Sequence, residues 1–164
     1  MDDRIREHAS ILVDWSARVD PGDNVVVSVA EGAHDLAVAV AEALGERGAS
    51  MVATYDSAEL SRAYLRATGE DNGDLAFEDT PSHELALIEN ADVYLRLGGG
   101  RNTAATADVP AATRQDYRRS RTEIREARMN TDWVSTVHPT RSLAQQAGLS
   151  LAAYREFVYD AVLR

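Results

Sequence analysis

Cysteine is absent from this chain of 164 residues. Disulfides, thiolate metal sites and a cysteine nucleophile are excluded with it. Lysine is absent too: the 17 basic residues are all arginine, set against 27 carboxylates and a formal net charge of -10. A field of that sign repels nucleic acid and anionic membrane as general partners. No apolar run reaches the roughly 20 residues that cross a bilayer. The start, Met1-Asp2-Asp3-Arg4, lacks the apolar core of an export signal, so a cytoplasmic location is expected.

The hydrophobic share of 45% is ordinary for a globular protein and long enough in chain to bury a core, so one domain over residues 1–164 is expected. Abundant acid and alanine without lysine resemble proteins of salt-loving archaea. At about 1 M salt the Debye length falls to about 3 Å, which screens acidic self-repulsion. The alternative is codon bias in a GC-rich genome, which replaces lysine by arginine without any salt adaptation.

Helical and strand patterns alternate along the chain. Ile5 to Arg18 carries Ile5, Ala9, Leu12, Val13 and Trp15 near helical period. Asp20-Pro21-Gly22-Asp23 is a turn. Asn24 to Ala30, with four valines, suits a strand buried on both faces. His34 to Arg47 reads as a helix closed by Gly48, and Ser50 to Tyr55 as a second strand. Asp56 and Glu59 have capping-box spacing for a helix through Arg66. Gly69 to Thr80 reads as a loop, and Thr80-Pro81 as the cap and first position of a helix to about Asn90. Asp92 to Leu97 is a third strand, Pro110 to Met129 one long helix, and Asp132 to Val137 a fourth strand. Helices over Thr140 to Ala147 and Ser150 to Arg164 finish the pattern. This alternation predicts a helix–sheet–helix α/β domain with a mainly parallel sheet of about four or more strands.

Two surfaces are candidates for function. Gly98-Gly99-Gly100-Arg101-Asn102 follows the third strand, where open α/β sheets bind ligands. Its glycine amides and Arg101 suit an anion. It matches neither G-x-G-x-x-G nor G-K-[ST], and the alternative is a plain connection over the sheet edge. On the predicted long helix, Arg114, Arg118, Arg121, Arg125 and Arg128 recur at i, i+4, i+7, i+11 and i+14 and share one face. The opposite stripe, Thr113, Tyr117, Ser120, Ile124 and Ala127, is only modestly apolar, so shallow burial is expected. Docking to an acidic face of a second subunit or domain is one reading, a solvated face paired with Glu123 and Glu126 another. A nucleic-acid ridge is opposed by the whole-chain field.

Other chemistry finds little support in spacing. His8, His34, His83 and His138 lack an i, i+4 partner of the H-E-x-x-H kind. His138 reads as a turn residue, with Thr140 capping the next helix. No serine lies in a G-x-S-x-G elbow. The last helix sets Leu151, Tyr154, Phe157, Val158, Ala161 and Val162 on one side, a face expected to pack on the sheet or a partner.

The final part carries the most distinctive pattern. Trp133-Val134, Thr136, Pro139-Thr140, Ala144-Gln145, Ala147-Gly148, Ser150, Tyr154 and Glu156-Phe157-Val158-Tyr159 follow in order. Leu12-Val13, Pro21-Gly22-Asp23 with Val25 and Val27, and the strand ending at Tyr55 precede them. Together they resemble the N-terminal domain of the thermophilic metalloaminopeptidase family, the aminopeptidases T and S. The resemblance implies a dimeric parent that removes N-terminal residues from peptides with two divalent metal ions, zinc, cobalt or similar. The family's metal and catalytic residues match no position here, so none is assigned and no cofactor is expected on this chain. The implied role is a scaffold that dimerises, adjoins a C-terminal catalytic domain and bounds access to its active site. This chain alone is then expected to be inactive.

Overall fold

Residues 24–30 form the first strand of the computed structural model because Val25, Val26 and Val27 are buried there and Asp20–Asp23 turns the chain into them. The structure describes residues 2–71 and 77–163, with the side chains of 69–71 left aside. The elements are α1 (Asp3–Ser10), a π-helical segment (Ile11–Ser16), β1 (Asn24–Ala30), α2 (His34–Arg47) and β2 (Ser50–Asp56). Next come α3 (Ala58–Asp71), α4 (Ser82–Glu89), β3 (Val93–Gly98), α5 (Ala111–Ser120) and α6 (Thr122–Met129). They end with β4 (Asp132–Val137), α7 (Arg141–Gln146) and α8 (Leu151–Val162).

The four strands are all parallel, in the order β2-β1-β3-β4. The expected α/β fold is therefore observed. Parallel register puts matched residues on one face. Val25, Val27, Leu95 and Leu97 point to one side, where α1, the π-helical segment, α2 and α8 cover them, among others with Leu12, Leu36, Val40 and Tyr159. Val26 and Tyr94 point to the other side, met by Ile88 of α4 and Ile124 of α6. Right-handed crossovers explain the split. The chain leaves β1 toward β2 in one direction, and β2 and β3 in the other, so α2 and α4–α6 land on opposite faces.

Most predicted elements are present, and several details differ. Trp15 is 79% exposed, off the stripe of Ile5, Ala9, Leu12 and Val13. The helix widens to π geometry at Ile11, and Arg18, at φ 51, ends it. Asp56 does not cap α3: it completes β2, and the Ser57 hydroxyl accepts the Leu60 N–H instead. That helix runs to Asp71, beyond Arg66 and into the expected loop, of which 72–76 lie outside the described residues. Pro81, extended at ψ 110, takes the cap position of α4 rather than its first turn.

The predicted long helix also differs: it breaks at Arg121 (φ -109, ψ 16) into α5 and α6. Thr140 and Ser150 cap α7 and α8 with their hydroxyls, as their positions suggest. On α8 the buried pair is Val158 and Tyr159, whereas Phe157 of the expected stripe is exposed and stacks on Tyr154. Tyr159 packs edge-on against His8 of α1.

Candidate functional site

The strand order reverses between β1 and β3, so a crevice is expected where their C-terminal ends diverge. Here the two loops close on each other. Gly32 N–H donates to the Gly99 carbonyl at 2.9 Å. A Cβ on Gly32 would lie 2.1 Å from that oxygen, an approach only glycine permits. The Arg101 N–H donates to Glu31 Oε1 at 3.0 Å, and the Ser57 hydroxyl to Glu31 Oε2 at 3.4 Å. The carbonyl of Gly100 accepts from the hydroxyls of Thr140 and Ser142. Gly98 accepts from the His138 N–H at 2.7 Å. The loop of Gly98, Gly99, Gly100 and Arg101 thus already offers an amide to an internal carboxylate. The Arg101 side chain reaches outward to a separate hollow of about 310 Å³, shared with Asn102, Ser142 and Gln145. Glu31 is a participant that spacing did not single out.

The arginines of the α5–α6 segment take a different position from an outward ridge. Arg118, Arg121, Arg125 and Arg128 line one wall of a cleft of about 670 Å³. Its floor is the sheet, through Val26, Ser28, Thr54 and Tyr94, and its other wall is α4, through Glu84 and Leu87. Arg114 is not on the cleft. Arg121 sits at the helix break, its guanidinium 3.6 Å from the centre of the Tyr117 ring. Its Nε lies 3.3 Å from Glu84 Oε2 without aligning for a hydrogen bond, so the contact is an ion pair. Arg128 lies over Tyr94 at 5.5 Å. Burial raises the pKa of the Tyr117 phenol, which stays neutral. The stripe expected opposite the arginines lies beside them, since Tyr117 and Ile124 line the same cleft, and it is more buried than its composition suggests: Ser120 and Ile124 are buried, Tyr117 and Ala127 half-buried.

Register adds a second feature. Thr54, Ser28, Arg96 and Ser135 stand abreast across all four strands on this face. A row of hydroxyls and a guanidinium on a parallel sheet departs from the apolar habit of such sheets. The sequence signal was small: Ser28 interrupts four valines, and Arg96 separates Leu95 from Leu97.

On the covered face, His8 is fully buried and its Nε2 lies 2.9 Å from Thr136 Oγ1. Burial, with a smaller effect from His138, lowers its pKa to about 4. Burial also lowers that of His138, opposed by Asp35. Nδ1 of both rings lacks a hydrogen-bond partner. Among the described residues no group of three His, Asp or Glu could hold a metal ion. Two imidazoles without a third ligand placed beside them are too few for a hydrolytic metal site. No metal-dependent step is therefore derived from these residues.

A doubly wound α/β domain with loops knit at its switch point is the class this geometry defines. The chain belongs to the thermophilic metalloprotease (M29) family, whose model matches residues 1–164. Among solved structures it is similar to AmpT from Thermus thermophilus at 16% identity and TM-score 0.74, covering 98% of this chain and 43% of that one. The chain thus spans less than half the length of that protein, and the likeness is one of fold. An alcohol dehydrogenase superfamily protein from Novosphingobium aromaticivorans matches at 15% identity and TM-score 0.38, covering 96% of this chain and 47% of that one. The CurK enoyl reductase matches at 15% identity and TM-score 0.36, covering 98% and 50%. These two TM-scores are too low to carry an argument. Among curated proteins nothing matches. No helix among the described residues is long and apolar enough to cross a membrane.

Proposed function

We propose that this chain is the N-terminal scaffold, dimerisation and access domain of a metal-dependent aminopeptidase. The whole enzyme would act in the cytoplasm, as a homodimer, on the N-termini of peptides. Its two divalent metal ions, zinc, cobalt or similar, would be held by residues outside these 164, in a C-terminal catalytic domain. The observation that carries this reading is the family match over residues 1–164, combined with a fold that covers 98% of this chain but 43% of AmpT. Surface character supports it. Met51, Val52 and Tyr55 on the edge strand β2, and Trp133 and Val137 on the opposite edge, are exposed. Uncovered apolar strand edges are surfaces that proteins ordinarily pair or cover.

The isolated chain is expected to hydrolyse no leucyl 4-nitroanilide with added zinc or cobalt, and to bind neither ion tightly in isothermal titration. Turnover by these 164 residues would refute the scaffold reading. Light scattering is expected to give twice the 17.9 kDa of one chain. A monomer at high concentration would remove the dimerisation role.

A second reading makes the loop of Gly98–Asn102 an anion site. The hollow beside Arg101 favours it, while the Glu31 carboxylate already bound to the Arg101 amide opposes it. Stabilisation by phosphate that Arg101→Ala abolishes would establish this reading. An unchanged melting temperature in phosphate would remove it.

A further inference from the structure

The cleft between the sheet and α4–α6 belongs to neither reading above. We propose that it binds a small organic anion, one with a carboxylate or similar charged head on an apolar body of aromatic size. Charge, shape and floor chemistry converge on that class. The chain carries -10 overall, yet the cleft collects four arginines against one glutamate. Glu84 is engaged by Arg121, and no ion pair is made by Arg118, Arg125 or Arg128 among the described residues. The buried Nε donor of Arg128 makes no hydrogen bond. Such a donor gains most from an anionic acceptor, because charge-assisted bonds are the stronger kind.

The floor is divided along the strands. Val26, Ile88 and Ile124 supply an apolar end. Two residues further along β1, Ser28 and its register partner Thr54 supply hydroxyls on the same face. A ligand with an apolar body and a charged head satisfies both ends at once. An inorganic ion leaves the apolar end wet, and a neutral hydrocarbon leaves the guanidiniums without an acceptor. The volume of about 670 Å³ falls within the range of small-molecule pockets, about 300–1,000 Å³. A recessed floor also distinguishes the site from a ridge that docks on a flat acidic surface.

Titration of the chain with 4-phenylbutyrate, 4-phenylbutan-1-ol and acetate tests the assignment. Saturable one-to-one binding of 4-phenylbutyrate is expected, with amide shifts in a nitrogen-15 spectrum centred on Ser28, Thr54 and Tyr94. The alcohol and acetate are each expected to bind at least about tenfold more weakly. Arg118 and Arg125 are exposed, so the double variant Arg118→Ala/Arg125→Ala is expected to fold and to weaken 4-phenylbutyrate by about tenfold or more. Arg6→Ala, on α1, is expected to leave it unchanged. The proposal is overturned by no saturable binding, by equal binding of the alcohol, by shifts elsewhere, or by full affinity in the double variant. Peptidase activity is not a readout here, so failure of this site leaves the scaffold reading intact, and the reverse.

Discussion

The two faces of the sheet differ more than its two ends. Toward α1, α2 and α8, the strands present Val25, Val27, Val93, Leu95 and Leu97, each at most 2% exposed, and the helices answer with Leu12, Val13, Leu36, Val40 and Leu44. Toward α4–α6, the buried cluster that meets the strands is Val26, Ile88 and Ile124, a separate cluster of Leu65, Phe77 and Val109 packs against Tyr117 of α5, and beyond lie hydroxyls, Arg96 and the arginine wall. One face holds the fold together; the other is partly given over to a cleft. Apolar burial stabilises by about 1.5–3 kcal/mol for each large side chain taken from water, so an apolar lining there would have been the more cohesive choice. A polar cleft forgoes that stabilisation, and stability forgone at one location is a common mark of function.

The sharpest way to break this contrast is to remove the same kind of atom from each face. Leu36→Ala, at 0% exposure in the covered face, is expected to cost about 4 kcal/mol, the transfer loss plus an unfilled cavity. Val52→Ala, 49% exposed on the open face of β2, is expected to cost under about 1 kcal/mol. Urea unfolding of both variants measures the pair. Equal losses would mean that the open face is covered in solution, for instance by a second copy.

What the sequence made legible divides along the same line. The covered face could be read because valines, alanines and leucines recur at strand and helix periods between clear stops, so β1 and α2 lie where expected. The cleft could not be read, because it joins Ser28, Thr54, Glu84, Tyr94 and Arg121, which only the crossovers bring together. The break at Arg121 was equally hidden. No proline or glycine marks it; the Arg121 guanidinium there meets the Tyr117 ring one turn earlier and the Glu84 carboxylate of α4. The arginine period describes one face of an unbroken helix without saying what that face meets, and the structure sets four of the five arginines on the cleft. At the switch point, three consecutive glycines mark Gly98–Arg101 as a loop, whereas its partner Glu31 stands 67 positions before Gly98 in the chain.

A second test uses pH, because the covered face hides a titratable group. His8 is held neutral in the fold, with its pKa lowered from 6.5 to about 4. Its contribution is complete above pH 6.5, where both folded and unfolded forms are neutral. Between pH 6.5 and about 4 the unfolded chain takes up a proton that the folded one refuses, so stability falls as pH falls. The total loss is about 3 kcal/mol. His138, lowered in the same direction, adds to the slope. His8→Gln keeps a donor for Thr136 and is expected to flatten most of it in urea unfolding at pH 7 and pH 5. An identical slope in that variant would assign the acid sensitivity to carboxylates instead.

The smallest effect belongs to the open face and asks whether the helix break is held by the residues around it. Arg121 has a side chain 18% exposed, while that of Glu84 is 39% exposed, so solvent weakens their attraction. Stacking on Tyr117 adds about 0.5–1 kcal/mol at such a site. Arg121→Met keeps the packed stem and deletes the charge, and is expected to cost about 1 kcal/mol. A double-mutant cycle with Glu84→Gln should return a coupling of about 0.5–1 kcal/mol, which isolates the ion pair from the ring contact. A coupling near zero would leave the Tyr117 ring as the reason the chain turns at this position. A coupling as large as the cost of Leu36→Ala would instead make the cleft wall as structural as the covered face, and the contrast between the two faces would collapse.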